Sequence, residues 1–178
     1  AGSSLLISTI EACTQAENET RSANIKWGIK QRAKNGSLGF YRRKCYGYDK
    51  DKNGELVINE EQAEVVKLVF DLYLGGKNIL GIVKELKDRN IKSPTGKDNW
   101  PKHSVEELLK NEKYIGVAAV KIGGKNGYIY RLNNAHPSII SKEKFDAAQE
   151  DNLNRSNVEQ TEDGPKRKKT KYSSKKHN

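Results

Sequence analysis

The side chains whose types and spacing suggest a task are cations. Lys26, Lys30 and Lys34 recur every four residues, Arg42, Arg43 and Lys44 are consecutive, and Lys102, His103 and Ser104 open a short polar-fronted stretch that closes on Lys110. Such groups do not make or break bonds by themselves. They displace counterions from phosphates and donate to base edges, so the chemistry they offer is non-covalent recognition of a polyanion. Other constellations are absent. His103, His136 and His177 are scattered, and Cys13 and Cys45 lie 32 positions apart, so no metal site, cofactor or disulfide framework is expected. Glu60 and Glu61 resemble a paired-carboxylate site, but at a helix start the macrodipole accounts for them.

The charge is segregated along the 178 residues, enough for one domain or two small ones. Residues 21–50 hold nine basic side chains against one acid, and residues 164–178 hold seven and none. Out of a net charge of +10, this leaves a body at −5. Two basic blocks on a mildly acidic body fit a nucleic-acid binder. The first block interleaves with Trp27, Phe40, Tyr41, Tyr46 and Tyr48 and is expected to be ordered; the second reads as a solvated tail. With a mean hydropathy of −0.88 and apolar runs of only a few residues, no membrane span is expected, and a reducing cytoplasm is the default compartment. The lack of any Met is expected of a piece excised from a longer protein, with Ala1 to Ser4 set aside.

These cations need elements to carry them. Residues 5–34 lack Pro and carry only Gly28, which predicts one long helix ending near Asn35-Gly36. Residues 36–58 read as an extended basic connector and a short strand over 55–58. Asn59 and Gln62 predict a capping box for a helix carrying Ala63, Val66, Phe70 and Tyr73 inward, stopped at Gly75-Gly76. Asn78 predicts the cap of a second helix with Ile82 and Leu86 on its apolar face. A third runs from Lys102 to Lys110, with Ser104 and Glu107 as an internal capping pair. The residues YIGVAAVKIGGKNGYIYRL read as a β-hairpin, and Ser141 caps a last helix to about Asn154, with Phe145, Ala148 and Leu153 apolar.

The expected fold is therefore mainly α with a small β-hairpin: a long N-terminal helix (1–35), a basic linker (36–58), a winged helix-turn-helix-like domain (59–155) and a basic disordered tail (156–178). In that arrangement the helix opened by Lys102, His103 and Ser104 enters the major groove N-terminus first. Trp100 and Tyr114 are expected in the core, pinning that helix.

Tyr46-Gly47-Tyr48, the Gln62–Val66 core of the first capped helix, Gly75, Trp100 and the run Asn111-Glu112-Lys113-Tyr114-Ile115-Gly116 resemble the recombinase domain of large serine recombinases. The resemblance covers about residues 20–155. It implies a site-specific recombinase, bacterial or phage-encoded, that binds a double-stranded DNA attachment site as a dimer or tetramer. It also implies that the N-terminal helix is the end of a dimerisation helix and that residues 39–48 follow the DNA backbone and minor groove, with Arg42 and Arg43 inserted. The family's catalytic serine, which forms a 5′-phosphoserine link, and its zinc ribbon belong to domains without a counterpart here, so no Ser is assigned as nucleophile. The alternative is an RNA-binding or ribosome-associated basic module, which exposed aromatics and a basic tail would also suit. A pure oligomerisation piece is a third, marked by salt-insensitive binding.

Overall fold

The computed structural model describes residues 19–32, 39–156 and 158–168, apart from the side chains of Tyr41 and Gln160. Helix α1 occupies residues 19–32 of this range, α2 Gly39–Arg42, α3 Glu60–Leu74, α4 Ile79–Asp88, α5 Lys102–Lys110 and α6 Lys142–Arg155. Three antiparallel hairpins complete it: β1 (Tyr48–Lys50) with β2 (Leu56–Ile58), β3 (Ala118–Ile122) with β4 (Tyr128–Leu132), and β5 (Val158–Thr161) with β6 (Gly164–Arg167). The fold is mixed α+β, as expected.

Helix α3 is the centre. Its apolar residues recur at helical spacing, and Ala63, Val66, Val69, Phe70 and Tyr73 are all buried. Against them lie Ile82 and Leu86 of α4, Val105, Leu108 and Leu109 of α5, and Phe145 and Ala148 of α6. Phe70 touches both Tyr114, ring centroids 6.4 Å apart, and Phe145, 6.2 Å apart. The sheets join the same core through Tyr48, Leu56, Val120 and Leu132, and α1 through Ile29. Leu153, expected on the apolar face of α6, is 69% exposed.

The caps explain where the helices begin. Asn78 accepts from the Gly81 amide at 2.7 Å, and Ser141 from the Lys144 amide at 3.3 Å. Asn59 accepts from the Gln62 amide at 3.2 Å, but the return half of the capping box is replaced: Gln62 Oε1 accepts from the Gly47 amide at 2.9 Å. The expected Ser104–Glu107 pair does not cap α5. The N-cap is Pro101, without a side-chain bond, and Ser104 stands inside the first turn.

Between α4 and α5 run thirteen residues, Arg89 to Pro101, against the three or four of a simple helix-turn-helix. Asn90, at φ 56°, ends α4, and Trp100 closes the loop by donating from Nε1 to the Ile91 carbonyl at 3.1 Å. Trp100 and Tyr114 are both 2% exposed, as core residues should be.

Two segment assignments change as well. The connector is not extended throughout, since Gly39–Arg42 makes a helical turn before the chain straightens into β1. Within the segment read as a structureless tail, residues 158–167 form the β5–β6 hairpin, because the pair Glu162-Asp163 followed by Gly164 at φ 111° makes a tight reversal. The expected helix stop at Asn35-Gly36 lies outside the described residues.

Candidate nucleic-acid interface

The Tyr46-Gly47-Tyr48 and Asn111–Gly116 motifs are one structure. Asn111 caps the short 3-10 helix Glu112–Ile115 by accepting from the Lys113 amide at 3.1 Å, and its Nδ2 lies 3.6 Å from Cys45 Sγ. Tyr114 donates its hydroxyl to the Tyr46 carbonyl at 2.8 Å. Tyr48 shares its hydroxyl proton between the carbonyls of Lys113, at 3.0 Å, and Pro137, at 2.7 Å. Burial pushes the phenols of Tyr48 and Tyr114 and the Cys45 thiol upward, so all three stay neutral donors. Gly47 sits at φ 99°, where an L side chain is strained, and a Cβ there would also press on the Ile139 side chain, 2.9 Å from its Cδ1.

This junction faces the basic linker. Arg42, Arg43 and Lys44 are exposed, whereas Cys45 immediately after them is buried. The run is thus presented on the surface and then anchored. Lys113 supplies a second anchor: its Nζ donates to the Phe40 carbonyl at 2.8 Å and stands 4.2 Å from the centre of the Phe40 ring. Burial, with Lys50 and Arg43 nearby, lowers the Lys113 pKa; Cys45 acts in the opposite sense.

The other predicted cations occupy separate places. Lys102 and His103 are exposed at the N-terminal end of α5, and Lys102 pairs with Glu106 at 3.5 Å; Ser104 is half-buried. Lys110 is at the far end of the same helix, about 12 Å away, beside a small cleft shared with Ile79 and Gln149. Lys26 and Lys30 flank the buried Ile29 and line a cleft of about 560 Å³ against Gly54, Asn134 and His136. Both side chains are exposed at the rim of this cleft. Lys34 lies outside the described residues. A wider groove of about 700 Å³ separates Arg21, Asn24 and Arg32 of α1 from Ile122 of β3.

Sequence reasoning missed Lys113, although the run that contains it was singled out. Lys50, Lys166 and Arg167 were counted in the basic blocks without a place; Lys50 is exposed on β1, and Lys166 and Arg167 are exposed on β6. The available signal was that both motifs carry the family resemblance, which names no contact between them.

Among the described residues no group of three His, Cys, Asp or Glu side chains could hold a metal ion, and no helix is long and apolar enough to cross a membrane. The geometry defines a helical domain with a surface cationic run pinned by a tyrosine-rich junction. The Recombinase family model matches residues 60–155, and the chain belongs to that family.

Two solved structures share the fold. A crystal structure of a large serine recombinase–DNA complex matches at a TM-score of 0.55 and 25% identity, over 76% of this chain and 41% of that one. A structure concerned with the sequence requirements of the Listeria innocua prophage attP site matches at a TM-score of 0.50 and 25% identity, over 70% and 49%. Among curated proteins, the "Uncharacterized protein YbcK" of Escherichia coli (strain K12) is 28% identical over 101 residues, 56% of this chain and 20% of that protein. The "Putative DNA recombinase" of Bacillus subtilis (strain 168) is 25% identical over 153 residues, 68% and 30%. The chain thus spans less than a third of the length of these curated relatives.

Proposed function

We propose that the chain binds double-stranded DNA sequence-specifically, as the recombinase domain of a large serine recombinase acting in the cytoplasm. In this reading it supplies the address, and a catalytic domain elsewhere in the protein performs strand exchange through a serine. The observation that carries the reading is the run Arg42-Arg43-Lys44, exposed and bracketed by the half-buried Phe40, held by Lys113, and the buried Cys45. A cationic run held this way can track phosphates or enter a narrow groove. The likeness to a recombinase–DNA complex supports the same partner.

Helix α5, with β3–β4 as its wing, is the proposed reader. Nine residues make it about 13 Å long, of a size with the major groove, and its exposed end offers Lys102 and His103 as donors, with Ser104 behind them. Lys26, Lys30, Lys34, Lys44 and Lys110 are proposed phosphate contacts. The N-terminal helix is proposed to continue toward a dimer interface of the whole protein.

Titration of labelled duplex across a salt series tests this. Site-specific binding with a steep fall in affinity as salt rises supports it. Preference for structured RNA over duplex, or insensitivity to salt, contradicts it.

A further inference from the structure

Lys113 carries an ammonium into a half-buried position where no carboxylate lies within ion-pair distance among the described residues. Burying a cation without a counter-charge is unfavourable, and a Met of the same reach would fill the space without that cost. What the ammonium reaches is the carbonyl of Phe40, in the four-residue helix α2. The neighbouring residue, Tyr114, holds the carbonyl of Tyr46. Two adjacent side chains of one 3-10 helix thus grip both ends of the seven-residue segment 40–46, and the cations Arg42, Arg43 and Lys44 lie between the grips.

Resting on the DNA-binding reading above, we infer that Lys113 is a positioning residue. Its bond to Phe40 fixes the path of the basic linker before DNA arrives, so that the ordering of Arg42, Arg43 and Lys44 is complete in the free protein. It touches no phosphate itself. Its cation–π contact with the Phe40 ring adds a second restraint on the same residue. Preorganisation of this kind raises affinity by removing an ordering step from binding, without adding a contact.

The test uses Lys113→Met, which keeps the aliphatic stem, and Lys113→Arg, which keeps the donor and the ring contact. Duplex affinity is measured across a salt series, together with hydrogen exchange of the amides at 40–44 in the free protein. Lys113→Met should weaken duplex binding about tenfold with an unchanged salt slope and speed exchange at 40–44; Lys113→Arg should restore both. In a background carrying Arg42→Ala and Arg43→Ala, Lys113→Met should add little, a dependence that general loss of stability would not produce. A salt slope reduced by about one would make Lys113 a phosphate contact and overturn the inference. So would unchanged affinity and exchange in Lys113→Met, or a full penalty in the double-alanine background. If Arg42→Ala with Arg43→Ala itself leaves duplex binding intact, the DNA role of the linker fails instead.

Discussion

Gly116 is packed against the backbone of His136: a Cβ on Gly116 would stand 2.7 Å from the His136 carbonyl oxygen. The residue also sits at φ 78°, where an L side chain is strained. Gly116 ends the 3-10 helix of the Asn111–Gly116 run and its carbonyl accepts from the Ala135 amide at 2.9 Å, so it fixes where the loop after β4 meets the junction. Gly116→Ala should cost about 2–4 kcal/mol of stability, read as a lower urea midpoint.

Tyr48→Phe keeps the ring stacked on Tyr114, centroids 6.1 Å apart, and removes only the hydroxyl shared by the Lys113 and Pro137 carbonyls. Those acceptors lie in a partly buried site, so the loss should be about 1–3 kcal/mol by urea unfolding, with the circular dichroism spectrum unchanged.

His136 is 9% exposed, and its Nε2 lies 2.6 Å from the Lys113 carbonyl, which makes the neutral ring with Nε2–H the donor. Burial is the main cause holding its pKa below the ordinary 6.5; the nearby Lys113 charge lowers it further, while the carbonyl bond opposes both. The unfolded chain therefore binds a proton first as pH falls. The stabilising contribution is present in full above 6.5 and is lost as pH drops through the lower folded value. Unfolding midpoints measured from pH 7.5 to 5 should decline below about 6.5, and His136→Gln should flatten that decline.

Arg42→Ala with Arg43→Ala and His103→Ala should differ in kind. The first pair should weaken binding to many duplexes alike and lower the salt slope by about two, while His103→Ala should alter which base is preferred at one position, by about 1–3 kcal/mol. Identical sequence profiles for the two variants would contradict the division of roles.

Much of the helical body was legible because its signals are local. The apolar spacing of Ala63, Val66, Phe70 and Tyr73, the caps Asn78 and Ser141, and the Gly-rich reversal between β3 and β4 each act within a few residues. What stayed hidden depends on partners far along the chain. Gln62 Oε1 had a plausible donor three residues away in the Asn59 amide, yet it accepts from the Gly47 amide, fifteen residues upstream. The turn at Gly39–Arg42 has no cap signal, and its tie comes from Lys113, 73 residues later. Ser104 looked like a cap by type, but Pro101 already starts the helix. The same limit applies to the interface: the cations and the span of α5 from Lys102 to Lys110 could be read from the sequence, but the burial of Ile29 and the cleft that Lys26 and Lys30 line beside it follow only from packing.

The most direct test of the central claim is selection from a random pool of duplexes by the purified chain at near-physiological salt. One asymmetric motif should be recovered, bound far more tightly than scrambled duplex and lost in the Arg42→Ala, Arg43→Ala variant. Recovery of no motif, with equal affinity for all duplexes, would contradict it.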